Sequence, residues 1–167
     1  GDDRRWIVAK NASEWDEGHY GLVIQRGQVG AYLNIGGGRE NCYDAWSDEG
    51  TLDRDEWHHL AMTYDGSDLN VYRDGEKVAS TSVGKERKPV EGELNIGRRP
   101  DGYVVFNGLI DEVRLYDRAL DASEIERHAT APEKLDAAGA LHYWSFDDRP
   151  GISDEIQEIM AGAGLER

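Results

Sequence analysis

The chain is short of several things, and each shortage narrows what it can be. Its 167 residues include one cysteine, Cys42, so no internal disulfide can form. That cysteine sits in the β-like run NCYDAWS and is expected as a small buried residue rather than a nucleophile. Cations are scarce: 19 Lys and Arg stand against 34 Asp and Glu, a formal charge of -15. Nucleic-acid binding rests on neutralising phosphates, so this balance argues against it, and against anionic membrane surfaces. No apolar run approaches the ~20 residues of a membrane helix, so no membrane insertion is expected. The opening GDDRRW lacks an apolar core, so no signal peptide is read there. There is no G-x-S-x-G elbow, P-loop or dinucleotide fingerprint. The neighbours His58 and His59 point to opposite faces of a strand, and His19, His128 and His142 show no ligand spacing, so zinc is not expected.

What is present is strand, turn and strand. HYGLVIQ (His19 to Gln25) and QVGAYLNI (Gln28 to Ile35) flank Arg26-Gly27, and Asp68 to Arg73 and Lys77 to Ser82 flank Asp74-Gly75. Both dipeptides predict tight hairpin turns. Further strands are expected at Trp6 to Lys10, Asn41 to Ser47, Trp57 to Tyr64 and Glu93 to Ile96. A long one is expected over Phe106 to Leu120 (FNGLIDEVRLYDRAL). Many short strands with Gly-rich turns and no interleaved helices indicate an all-β sandwich or jelly roll. Helix is expected late: Asp121 or Ser123 can cap a turn or two through Arg127. Strand character returns at Ala140 to Phe146, and residues 149–167 read as a short C-terminal helix or tail.

In the Phe106 to Leu120 strand, the alternation puts Leu109, Asp111, Val113 and Leu115 on one face. A carboxylate among Leu and Val must be hydrogen-bonded, neutralised or bound to a cation. Asp111 is therefore expected either to accept backbone N–H groups or to help hold an ion.

Four ordered motifs carry a resemblance: WHHLAMTYDG (Trp57 to Gly66), NVYRDGEKVAS (Asn70 to Ser80), LNIGRRP (Leu94 to Pro100) and FNGLIDEVRLYDRALDASEI (Phe106 to Ile125). Over roughly Trp6 to His128 the chain resembles the laminin-G-like domains of the concanavalin A-like lectin/glucanase superfamily. The resemblance implies a jelly-roll sandwich of two antiparallel sheets over residues 1–148. It also implies an extracellular or periplasmic setting inside a larger exported protein, and a glycan or protein ligand. Such domains usually open with a W-x-F-D-E strand, and here a similar segment, Tyr143 to Asp148, stands at the far end. Residues 131–148 then either complete the sheet or open a second repeat; an uncovered edge favours completion. Similar domains can carry a structural Ca²⁺, for which the resemblance nominates Asp111, Asp147 and Asp148.

Because relatives include β-glucanases, catalysis is weighed directly. Those enzymes resemble E-x-D-x-E or E-x-D-x-x-E on one strand, which sends three acids to one face. Glu14-Trp15-Asp16-Glu17 has its third acid at i+3, facing the other way, in what reads as a polar loop. A glycoside hydrolase is thus the remote alternative. Carbohydrate binding calls for aromatic faces beside planar polar groups. The candidates are Trp15, Tyr43, Trp46 and Tyr103, with Arg39, Asn41 and Asp44 as neighbours. Tyr43 and Trp46 fall on opposite faces of their strand and need not form one platform. Trp6, Trp57 and Trp144 are expected in the core, and Trp46 fits core or surface. The expected function is a non-catalytic, lectin-like carbohydrate-binding module, the alternative a structural or protein-interaction domain.

Overall fold

The structure, a computed structural model, describes residues 3–87, 90–132 and 139–147. Strands β1 (Arg5–Lys10), β2 (Tyr20–Gln25), β3 (Gln28–Asn34), β4 (Cys42–Trp46) and β8 (Leu94–Ile96) form one antiparallel sheet in the order β4-β3-β2-β1-β8. Strands β5 (Leu60–Tyr64), β6 (Asp68–Arg73) and β7 (Glu76–Ser82) form a second, in chain order. A third pairs β9 (Val113–Leu115) with β10 (His142–Trp144).

The hairpins follow from their turn residues. Gln25 pairs with Gln28 across Arg26 and Gly27, whose φ angles are 51° and 74°. Arg73 pairs with Glu76 across Asp74 and Gly75, at 52° and 89°. Two positive φ values in a two-residue loop match the twist of the strands they join.

Alternation then assigns the faces. Leu22, Val29, Ala31, Leu33 and Ala45 point inward and pack with Leu69 and Val71 of β6, making the main core between the sheets. The register of β1 slips between Trp6 and Val8, which face Val23 and Leu22. This bulge lets Ile7 and Val8 both reach the inner core, while Trp6 and Ala9 join Val23 on the outer face. Trp6 is completely buried there, as expected of a core residue.

The one α-helix among the described residues, α1 (Ala122–Thr130), starts at Asp121. Asp121 Oδ1 accepts from Glu124 N at 2.8 Å, and Glu124 Oε2 accepts from Asp121 N at 2.9 Å, a capping box. Ile125 is its buried anchor.

Four expectations are corrected. The long strand over Phe106 to Leu120 shrinks to Val113–Leu115, because Glu112 takes φ 55° in the left-handed region and breaks the alternation. Asp111 is therefore not inside a ladder: it is half-buried, and its Oδ1 accepts from Glu112 N at 2.9 Å. Leu109, expected inward, is exposed. Trp57, expected in the core, is 54% exposed.

The tail strand β10 runs antiparallel to β9, with Trp144 opposite Val113 and Tyr143 opposite Arg114. The Tyr143 hydroxyl donates to Glu112 Oε2 at 2.8 Å, and Arg114 stacks on the Tyr143 ring at 4.4 Å. The helix or tail read over 149–167 lies outside the described residues.

Candidate functional site

The outer face of the five-stranded sheet is floored by rings. Tyr32 lies 5.6 Å from Trp6 and 5.8 Å from Trp46, the latter edge to face. The indoles can lie down because the sheet has no side chain beneath them: a Cβ at Gly21 would strike Trp6, and one at Gly30 would strike Trp46. Trp46 and Tyr32 keep part of their surface open, and the exposed Asp44 stands on their side of β4.

Two loops meet at the end of β3 through Asn34, which is fully buried. Its Nδ2 donates to Glu14 O at 3.1 Å and Gly38 O at 2.9 Å. Its Oδ1 accepts from Gly36 N at 3.2 Å and Gly37 N at 2.7 Å. One amide thus ties four backbone groups of the two loops together. Gly38 N donates to Trp15 O at 2.8 Å, and Asn41 Nδ2 donates to Gly37 O at 2.7 Å. The outcome is an exposed Trp15 with the Arg39 guanidinium 4.6 Å above its ring.

Glu14 turns the other way, onto the outer face, where it is 8% exposed. Its Oε1 meets Arg4 Nη1 at 2.9 Å and its Oε2 meets Arg99 Nη1 at 2.6 Å. Arg99 Nη2 continues to Asp101 Oδ2 at 2.6 Å, and its guanidinium lies 5.0 Å from the ring of the exposed Tyr103. Burial pushes the Glu14 carboxyl upward, but a backbone hydrogen bond, the hydrogen bond from Arg4 and the charges of Arg4 and Arg99 outweigh it. The pKa settles below the ordinary range. Asp101 is lowered as well, first by its hydrogen bond from Arg99. His19 packs edge-on against Trp6 at 5.3 Å, and burial lowers it to about 4. The Cys42 thiol is raised to about 11, by burial first and then by Glu14 and Asp44, which keeps it protonated.

The nominated residues divide accordingly. Trp46 and Tyr103 look onto the outer face, with Trp15 and Arg39 in the loop pair at its rim. Asn41 ties its own loop. Tyr43 goes to the opposite side, packed on the inter-sheet core with Lys85 Nζ 5.4 Å from its ring, so it shares no platform with Trp46. Glu14, Arg4, Arg99, Tyr32 and Asn34 were not nominated. Glu14 stood in the acidic segment weighed for catalysis, and Arg99 in the LNIGRRP motif, but no local spacing couples them. Asp111 and Asp147 line one cleft between the sheets. Asp148 lies outside the described residues. Among the described residues no three His, Cys, Asp or Glu side chains stand together as a metal-holding group.

A second polar cluster fastens α1 to the β6–β7 hairpin. Asp74 Oδ2 lies 2.9 Å from His58 Nδ1, and its Oδ1 accepts from His59 N at 2.9 Å. The His59 ring stacks on His128 of α1 at 6.2 Å, and the Tyr116 hydroxyl lies 3.3 Å from His128 Nε2. Burial first, and the neighbouring His128 next, lower His59 to about 4.

Among the described residues no helix is long and apolar enough to cross a membrane. A family model described as the concanavalin A-like lectin/glucanases superfamily matches residues 1–126. Adhesion G-protein coupled receptor V1 of Danio rerio is 24% identical over 159 residues, which cover 89% of this chain and 2% of the receptor. A crystallised protein of Bacteroides ovatus, described as a candidate carbohydrate-binding protein, aligns with TM-score 0.57 and 20% identity, covering 89% of this chain and 47% of that one. An S-layer domain-containing protein of Clostridium thermocellum aligns with TM-score 0.41 and 23% identity, covering 76% and 63%. The chain spans less than two thirds of each of these proteins.

Proposed function

Because the chain belongs to the concanavalin A-like lectin/glucanases superfamily, we propose that it is a non-catalytic recognition module that binds carbohydrate on the outer face of its five-stranded sheet. The mostly-β architecture with antiparallel sheets is the one the family leads to. Trp46 and Tyr32 supply the floor on which a pyranose stacks its C–H face, and Tyr103 and Trp15 stand at the margins. Asp44 and Asp101 present carboxylate oxygens to sugar hydroxyls. The observation that carries this reading is the pair of exposed rings, Trp15 and Tyr103, each with an arginine at one face, beside a part-open ring floor. An arginine that holds a ring in place lowers the ordering cost of binding.

The Glu14 carboxylate of the EWDE segment is engaged by two guanidiniums. That suits a structural part and not a nucleophile. The description of the Bacteroides ovatus protein accords with carbohydrate binding. The module is taken to run through β10 to residue 148, to work outside the cell and to form part of a longer exported protein. A structural Ca²⁺ held by Asp111, Asp147 and Asp148 completes the proposal.

The test is a glycan array followed by titration of the hits against Trp46→Ala and Tyr103→Ala. Loss of the hits in both variants, with unchanged thermal unfolding, supports the reading; an array without hits counts against it. A second reading, protein docking, has its own observation: Trp57, Leu109 and Leu141 are exposed along the cleft between the sheets. A partner whose capture is lost in Trp57→Ser and kept in Trp46→Ala favours it.

A further inference from the structure

We infer that this face selects uncharged glycans over sulfated or carboxylated ones, and that Glu14 is the residue that sets the preference. The inference rests on the carbohydrate reading and narrows it. Arg4 and Arg99 stand along the same file of rings: Arg4 hydrogen-bonds with Tyr32, and the Arg99 guanidinium lies 6.0 Å from the Trp6 ring. A free guanidinium is a strong, bidentate receptor for carboxylate, sulfate or phosphate. Here neither is free: one carboxylate bridges them, Oε1 to Arg4 at 2.9 Å and Oε2 to Arg99 at 2.6 Å. Asp101 takes two further Arg99 donors, Nη2 at 2.6 Å and Nε at 3.3 Å.

The four side chains sum to no net charge. The Arg4, Glu14 and Arg99 side chains are 19%, 10% and 11% exposed. An anionic ligand would have to take a guanidinium from Glu14 and leave a buried carboxylate short of partners, a costly exchange. It would also approach past the exposed Asp44 and the field of a chain whose formal charge is -15. Arg39, outside the bridge, is engaged with the Trp15 ring in a loop that also carries Glu40. An uncharged sugar meets none of these penalties: its hydroxyls donate to Asp44 and Asp101, and its C–H faces cover the rings.

The experiment uses a sulfated disaccharide, its unsulfated parent and a panel of neutral glycans, at low and at moderate salt. The proteins are the whole chain, Glu14→Gln, which keeps the shape and removes the charge, and Asp101→Asn, whose side chain is 34% exposed and places less burden on folding. The wild type is expected to bind the sulfated disaccharide no better than its parent. Each variant is expected to gain about tenfold for the sulfated compound, roughly what one charge-assisted hydrogen bond contributes, and the gain should fade as salt rises. Tighter wild-type binding of the sulfated compound overturns the inference and leaves the carbohydrate reading intact. So does a folded variant pair that gains nothing. A wild type that binds neither the disaccharides nor any of the neutral panel overturns the carbohydrate reading and takes the inference with it.

Discussion

Glu14 Oε2 accepts a hydrogen bond from Arg99 Nη1 at 2.6 Å, across 85 residues of chain. That contact joins the loop after β1 to the loop after β8 over the outer face, with the Arg99 guanidinium 6.0 Å from the Trp6 ring. Because Arg4 shares the same carboxylate, removing Glu14 takes a charged partner from two guanidiniums at once. Glu14→Ala is expected to cost about 3–5 kcal/mol, the usual penalty for breaking a buried pair from one side. Denaturant unfolding measures it, and a loss below 1 kcal/mol would mean that water already reaches the pair.

Asn34 makes a separate prediction, because its amide is the shared anchor of two loops. Asn34→Ala removes four hydrogen bonds to the backbone of these loops and should cost about 1–3 kcal/mol. Hydrogen exchange at Gly36 and Gly37, whose amides donate to Oδ1, should rise together in this variant. Protection that persists at both would show that the loops hold without their anchor.

Gly30 lies under the Trp46 ring. Gly30→Ala is expected to lift that indole from the sheet, destabilising the fold by about 1–3 kcal/mol through overpacking. Any carbohydrate affinity should fall with it. Gly66→Ala serves as the comparison: a Cβ there meets nothing within 4 Å, although its φ of 92° adds backbone strain. Equal carbohydrate losses in the two variants would remove the role given to Trp46.

Acid should weaken the fold in two stages. His19 and His59, both lowered to about 4 chiefly by burial, are favoured neutral in the folded state. Their unfolded pKa is near 6.5, so the stability they contribute is complete above that value. It drains away as pH falls from about 6.5 to about 4, because the unfolded chain takes up protons that the folded chain refuses. Each contributes up to about 3 kcal/mol. Glu14 and Asp74, held low in the folded state, add their loss only as pH drops below the ordinary carboxylate range. Denaturant midpoints at about pH 7 and about pH 5 measure the first stage, and His59→Gln should flatten it. An unchanged slope in that variant would place the His59 ring in contact with water.

Calcium gives the simplest experiment. If Asp111 and Asp147 help hold a structural ion, thermal unfolding should shift upward with added Ca²⁺ and downward with chelator. A midpoint indifferent to both removes the metal.

Local chemistry was legible in the chain, and distant chemistry was not. Asp74-Gly75 and Arg26-Gly27 announce their turns because the positive φ values are requirements of those positions alone. Of the two caps the sequence offers, Asp121 or Ser123, it is Asp121 that starts α1, with its partner Glu124 three residues away. The alternation of β3 and β4 correctly separates Tyr43 from Trp46. The same alternation misleads at Leu109 to Leu115, where Glu112 adopts a conformation that its identity does not demand. Trp57 shows the limit of hydropathy: a large ring is buried only if neighbours arrive to cover it. Arg99 is the clearest case. Nothing within its own motif points to Glu14, and their meeting depends on the crossover that lays β8 beside β1.

The file of rings across the outer face also equips the molecule with an optical gauge. Tyr32 stands between two indoles, at 5.6 Å and 5.8 Å, close enough for light absorbed by the phenol to emerge as indole emission. Trp6 is sealed from solvent and Trp46 is not, so the two emit at different wavelengths. Whatever settles on Trp46 will shift its share of the redder emission, to which the exposed Trp15 and Trp57 also contribute, and spare the bluer Trp6, giving a label-free titration built from the protein's own chromophores.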